Sequence, residues 1–92
     1  MINYSKLPAH MQDTARLYVE KGIPGGSFFT AVVSNDLMRA FARADETNAD
    51  AMRDWVMWLY NDAPCWCHGS PERVQEWISR GGLAGGADQE AA

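Results

Sequence analysis

Basic charge is sparse in this sequence and never clusters: eight lysines and arginines are spread among twelve acidic residues, leaving a net charge of −4. A protein that binds nucleic acid in general needs a basic footprint against the phosphate backbone, so that class of partner is not expected. The acidic surplus is itself too small and too scattered to imitate a polyanion. Long apolar runs are missing as well, and no basic-plus-apolar leader follows Met1, so neither a membrane partner nor export is expected. Cysteine is limited to Cys65 and Cys67. A disulfide between two cysteines one residue apart would close a very tight ring, and in the cytoplasm both are expected to stay reduced. There is no internal repeat and no long linker, so 92 residues make one domain at most.

What the chain has instead is aromatic bulk, with four Trp, three Tyr and three Phe. A domain of this size buries only a modest fraction of its surface, and the leftover aromatic area predicts self-association.

The chain is organised around Gly22-Ile23-Pro24-Gly25-Gly26-Ser27, a turn that leads into its most hydrophobic segment. Residues 1–6 read as a polar arm, and Pro8 suits the first turn of a helix that Gly22 stops. Ser27 is the expected N-cap of a second helix running to Ala44, with Phe29, Val33, Leu37, Ala40 and Phe41 in one apolar row. On the same continuous helix Asn35, Arg39 and Arg43 fall at i, i+4 and i+8 and share a face, with Asp36 placed to pair with Arg39. A third helix spans Ala49 to Tyr60, with Met52, Trp55, Val56 and Leu59 as its core stripe; Met57, Trp58 and Tyr60 make it apolar on nearly every side. Residues 61–69 form a loop, and Ser70-Pro71-Glu72 starts a last helix that Gly81-Gly82 ends. The expected fold is all-α, a small four-helix domain with helix-turn-helix hairpins over residues 1–82, oligomeric, followed by a disordered tail over 83–92.

Four features bear on chemistry. Gly25, Gly26 and Ser27 let the backbone approach a ligand closely and present first-turn amides; with Lys21 and Thr30 nearby they make a candidate anion site. The Gly-Lys-Ser/Thr ending of a P-loop is absent and no strand precedes the turn, so the plain alternative is a helix–helix corner that uses glycine for geometry alone. Asp36, Arg39 and Arg43, with Asn35 on the same face, form a second candidate, since two guanidinium forks one turn apart can clamp a phosphate or carboxylate; the alternative is a solvated face with weak intrahelical ion pairs. If the turn and the arginines belonged to neighbouring subunits, one pocket would hold both. Cys65-Trp66-Cys67-His68 superficially resembles a metal site, but it lacks the usual cysteine spacing and a full ligand set, so no metal is expected. Finally, no nucleophile–base arrangement has a recognisable context, and the acid pairs Asp45–Glu46 and Asp50–Asp54 read as caps and solvated faces. Neither catalysis nor a cofactor is expected.

Taken together, Gly22-Ile23-Pro24, Gly26-Ser27-Phe28, Ala31-Val32, Ser34-Asn35-Asp36-Leu37, Arg43-Ala44-Asp45 and Asn48 resemble a family of short proteins encoded by tailed bacteriophages and prophages. Leu59-Tyr60, Pro64, Gly69-Ser70 and Trp77 fit the same pattern, so the likeness covers residues 5–80; it departs at Gly25, where the family pattern has proline. The resemblance implies a phage origin and no activity of its own. Small phage accessory proteins often bind and block host defences in the host cytoplasm, which sets two expectations ahead of a third, a structural or regulatory morphogenesis factor. One is a non-enzymatic oligomer that captures a phosphate-bearing small molecule, such as a nucleotide immune signal, at Lys21, Gly25, Gly26, Ser27, Thr30, Asn35, Arg39 and Arg43. The other is an inhibitor or adaptor that binds a host or virion protein through its aromatic surface.

Overall fold

The structure is a computed structural model that describes residues 2–85. Among these residues the fold is all-helical: α1 (Gln12–Lys21), α2 (Ser27–Val33), α3 (Leu37–Arg43), α4 (Glu46–Asp50), α5 (Met52–Asn61) and α6 (Pro71–Arg80), with 3-10 turns at Ala9–Met11 and Cys65–Cys67. Residues 82–85 are again helical, and Leu83 packs against the core. The rest of the expected tail, residues 86–92, lies outside the described residues.

Two expected helices are each split. The second breaks at Ser34-Asn35-Asp36. Asn35 takes a left-handed φ of 64°, its N–H donates to the Val32 carbonyl at 3.2 Å, and the Asp36 N–H donates to Ala31 at 2.9 Å. Those two bonds are the Schellman pattern that terminates a helix, with asparagine in the place more often held by glycine. Asp36 at once becomes the N-cap of α3, accepting from the Arg39 N–H at 3.1 Å. The third expected helix is preceded by α4 and interrupted at Ala51, after Asp45 has capped α4 by accepting from the Asn48 N–H at 2.7 Å. The two middle helices on paper are therefore four among the described residues, because the polar strings 34–36 and 45–48 can cap as well as continue.

The core is built on three buried tryptophans, Trp55, Trp58 and Trp77, with Tyr18 and Phe29. Their rings meet edge to face: Tyr18–Phe29 centroids lie 5.1 Å apart, Phe28–Trp55 5.4 Å and Trp55–Trp58 6.2 Å. Each buried indole N–H has an acceptor. Trp55 donates to Asn48 Oδ1 at 3.2 Å, Trp58 to the Asn3 carbonyl at 2.8 Å and Trp77 to the Tyr18 carbonyl at 2.9 Å. Asn48 is buried for that reason, since a buried polar group without a partner would cost about 1–3 kcal/mol.

Residues 2–6 are not the polar arm expected of them. Tyr4 and Leu7 are buried, the Tyr4 ring sits 5.9 Å from Trp58, and its hydroxyl donates to Glu20 at 3.2 Å. At the opposite end of α1, Gly22 has a φ of 69° and meets the end of α6. A Cβ there would come within 2.7 Å of the Gly82 backbone nitrogen. The glycines read as separate helix stops are therefore also a backbone-to-backbone contact that joins α1 to α6.

Candidate functional site

A cleft of about 400 Å³ opens beside the start of α2, and α3 forms its other wall. Gly25, Gly26, Ser27 and Thr30 line it from the turn and the first helical residues; Arg39 and Arg43 line it from α3; Ser34, Asp36 and Pro71 complete the rim. The break at Asn35 is what makes this possible. In one straight helix Ser27 and Arg43 would stand about 24 Å apart, at 1.5 Å per residue. With the break, α3 packs against α2 and both ends reach one space.

Six of the eight predicted site residues thus meet within a single chain, with no need for a second subunit to supply the arginines. Two do not belong. Lys21, exposed at the end of α1, is not in the lining, and Asn35 lines a different groove on the far side of α3. The shared face expected for Asn35, Arg39 and Arg43 does not exist, because Asn35 is the left-handed residue between two helices. Sequence reasoning grouped Asp36 with the two arginines but passed over Ser34 as a lining residue, and it read the serine–asparagine–aspartate string as helix although that string is itself a stop-and-cap signal.

Each wall has its own chemistry. The N-cap of α2 is Gly26, not Ser27, and no side chain caps this end. Ser27 is the first helical residue, so its hydroxyl has no capping duty. Gly26 has open space where a Cβ would stand, whereas a Cβ on Gly25 would lie 2.6 Å from the Phe29 ring. Gly25 is thus held by packing, and Gly26 leaves the backbone uncovered toward the cleft. On the α3 wall Arg39 Nε lies 3.5 Å from Asp36 Oδ2, both side chains being solvated, while Arg43 has no ion-pair partner among the described residues. Two arginines and one aspartate give the lining a formal charge of +1. Such a surface favours a small anion, with Asp36 partly offsetting the attraction.

The Cys65–His68 segment is organised differently from a metal site. Cys65 is exposed and Cys67 buried, and burial pushes the Cys67 thiol up to about 12. The Tyr18 hydroxyl donates to the Cys67 carbonyl at 2.6 Å, and the Gly69 N–H donates to the Val33 carbonyl at 2.8 Å, so the segment serves as a lid on the core. Among the described residues no three His, Cys, Asp or Glu side chains gather to hold a metal ion. No helix there is long and apolar enough to cross a membrane. No family model matches the chain, and no curated protein or solved structure matches it.

Proposed function

We propose that this is a phage-encoded, non-enzymatic counter-defence protein that binds and sequesters a phosphate-bearing small molecule, such as a nucleotide immune signal, in the host cytoplasm. The observation that carries the reading is the convergence of Arg39 and Arg43 with Gly25, Gly26, Ser27 and Thr30 on one cleft. Guanidinium forks and an uncovered glycine backbone are complementary to phosphate oxygens, and the Ser27 and Thr30 hydroxyls can donate to them as well. The protein works as a homo-oligomer in this reading, each chain contributing a complete cleft.

Thermal denaturation against a panel of cyclic and linear nucleotides tests it. A ligand that binds only the folded state raises the melting temperature, by about 2.7 kcal/mol of added stability at a hundred times its Kd. Gly26→Asp is expected to abolish the rise while keeping the fold. Its side chain enters open space, and aspartate is a better N-cap than glycine by a few tenths of a kcal/mol or more. Absence of any shift across the panel at millimolar ligand overturns the reading.

A second reading is an inhibitor or adaptor that docks a host or virion protein. It draws on Trp66, which is exposed with the Arg73 guanidinium 5.2 Å from its ring centroid. Trp66→Ala would weaken such a complex and leave nucleotide binding intact. Trp58, by contrast, is buried and presents nothing to a partner.

A further inference from the structure

Opposite the arginine cleft, α3 borders a second hollow. This groove of about 240 Å³ lies between the α2–α3 pair and α5, and Val32, Leu37, Ala40, Val56 and Tyr60 wall it. Beside it rises an apolar ridge. Leu37 and Phe41 are one turn apart, and Met38 is three residues before Phe41, so all three share one side of α3. They are 62%, 51% and 84% exposed, and across the groove Val56 and Tyr60 are 53% and 83% exposed. Arg39 and Arg43 turn the other way, into the arginine cleft, so the ridge carries no charge.

We propose that this face docks a second copy of the same chain, forming a twofold dimer whose axis passes between the Met38–Phe41 ridge and the groove. Five large side chains exposed to this degree offer on the order of 700 Å² per copy, close to the roughly 800 Å² that each partner gives to a standard interface. A ridge and a groove side by side on one molecule are self-complementary under a twofold axis, because each ridge enters the other copy's groove. The aromatic and methionine side chains of the ridge are those of an interface core, and the groove they enter adds Asp36 and His68 to its apolar walls. This inference rests on the self-association in the reading above and gives it a surface; the arginine cleft lies on the other side of α3, so a failure to dimerise and a failure to bind phosphate are read by separate measurements.

Light scattering and sedimentation of the full chain from micromolar to millimolar concentration provide the test. The expected mass is twice the 10.2 kDa of one chain. Met38→Glu and Phe41→Glu are each expected to return it to the single-chain mass with unchanged helical circular dichroism. Met38 is so exposed that its substitution leaves the fold intact even if Phe41→Glu does not. A single-chain mass at every concentration overturns the proposal. So does an assembly that survives Met38→Glu, or one that forms only with a different protein.

Discussion

Asp36 and His68 show how much a single side chain does in a domain this small. Asp36 caps α3 and lies 3.5 Å from Arg39, so it both builds the arginine wall and weakens its charge. His68 sits in the lid over the core. Burial of its ring, and secondarily the Arg73 charge, hold it below its ordinary value of 6.5, with a hydrogen bond to the Leu59 backbone acting in the other direction. The neutral ring is the one the fold prefers. As the pH falls through 6.5 the unfolded chain takes up a proton before the folded one does, so the His68 contribution is complete above that pH and is lost below it. The melting temperature is therefore expected to decline on acidification from about pH 6.5. His68→Gln should flatten that part of the curve, and an identical slope in the variant would count against this account.

At the scale of elements, the break between α2 and α3 decides the geometry of the cleft. Asn35 tolerates a left-handed backbone at modest cost, whereas a β-branched residue does not. Asn35→Val is expected to lose about 1–3 kcal/mol in chemical denaturation, with Asn35→Gly neutral or slightly stabilising. The same Asn35→Val protein should bind nucleotide more weakly although residue 35 is not in the cleft, because α3 and its arginines would be displaced. If binding is unchanged in a measurably destabilised Asn35→Val, the break is not what sets the site. The apolar row at Phe29, Val33 and Ala40 was legible in the sequence, and all three are buried. Leu37 and Phe41 were read into the same row, yet they are exposed, because the row's phase restarts after the break.

Over the whole molecule, stability rests on aromatic packing in a single core. Ion pairs contribute little: Lys6–Asp62, His10–Asp45, Arg16–Asp13 and Arg39–Asp36 all involve solvated or partly solvated side chains. Trp58 joins Trp55, Tyr4 and the Asn3 carbonyl, so it is a keystone between α5 and the N-terminal residues. Trp58→Ala is expected to cost about 3–5 kcal/mol, measured by urea unfolding, whereas exposed Trp66→Ala should change stability by less than about 1 kcal/mol. Equal effects would show that the core is not organised as described. The helical class, the stops at Gly22 and Gly81 and the capped start at Ser70-Pro71 follow from residue order, because helix periodicity and capping act over one or two turns. The glycine turn was legible for the same reason. Which surfaces meet was not, since helix pattern says where a segment begins and ends but not where it points after a left-handed residue. Packing around Trp55, Trp58 and Trp77 sets those directions; it leaves Arg43 and Gly26 on the walls of one cleft, draws Tyr4 into the core and keeps Met38 and Phe41 in solvent.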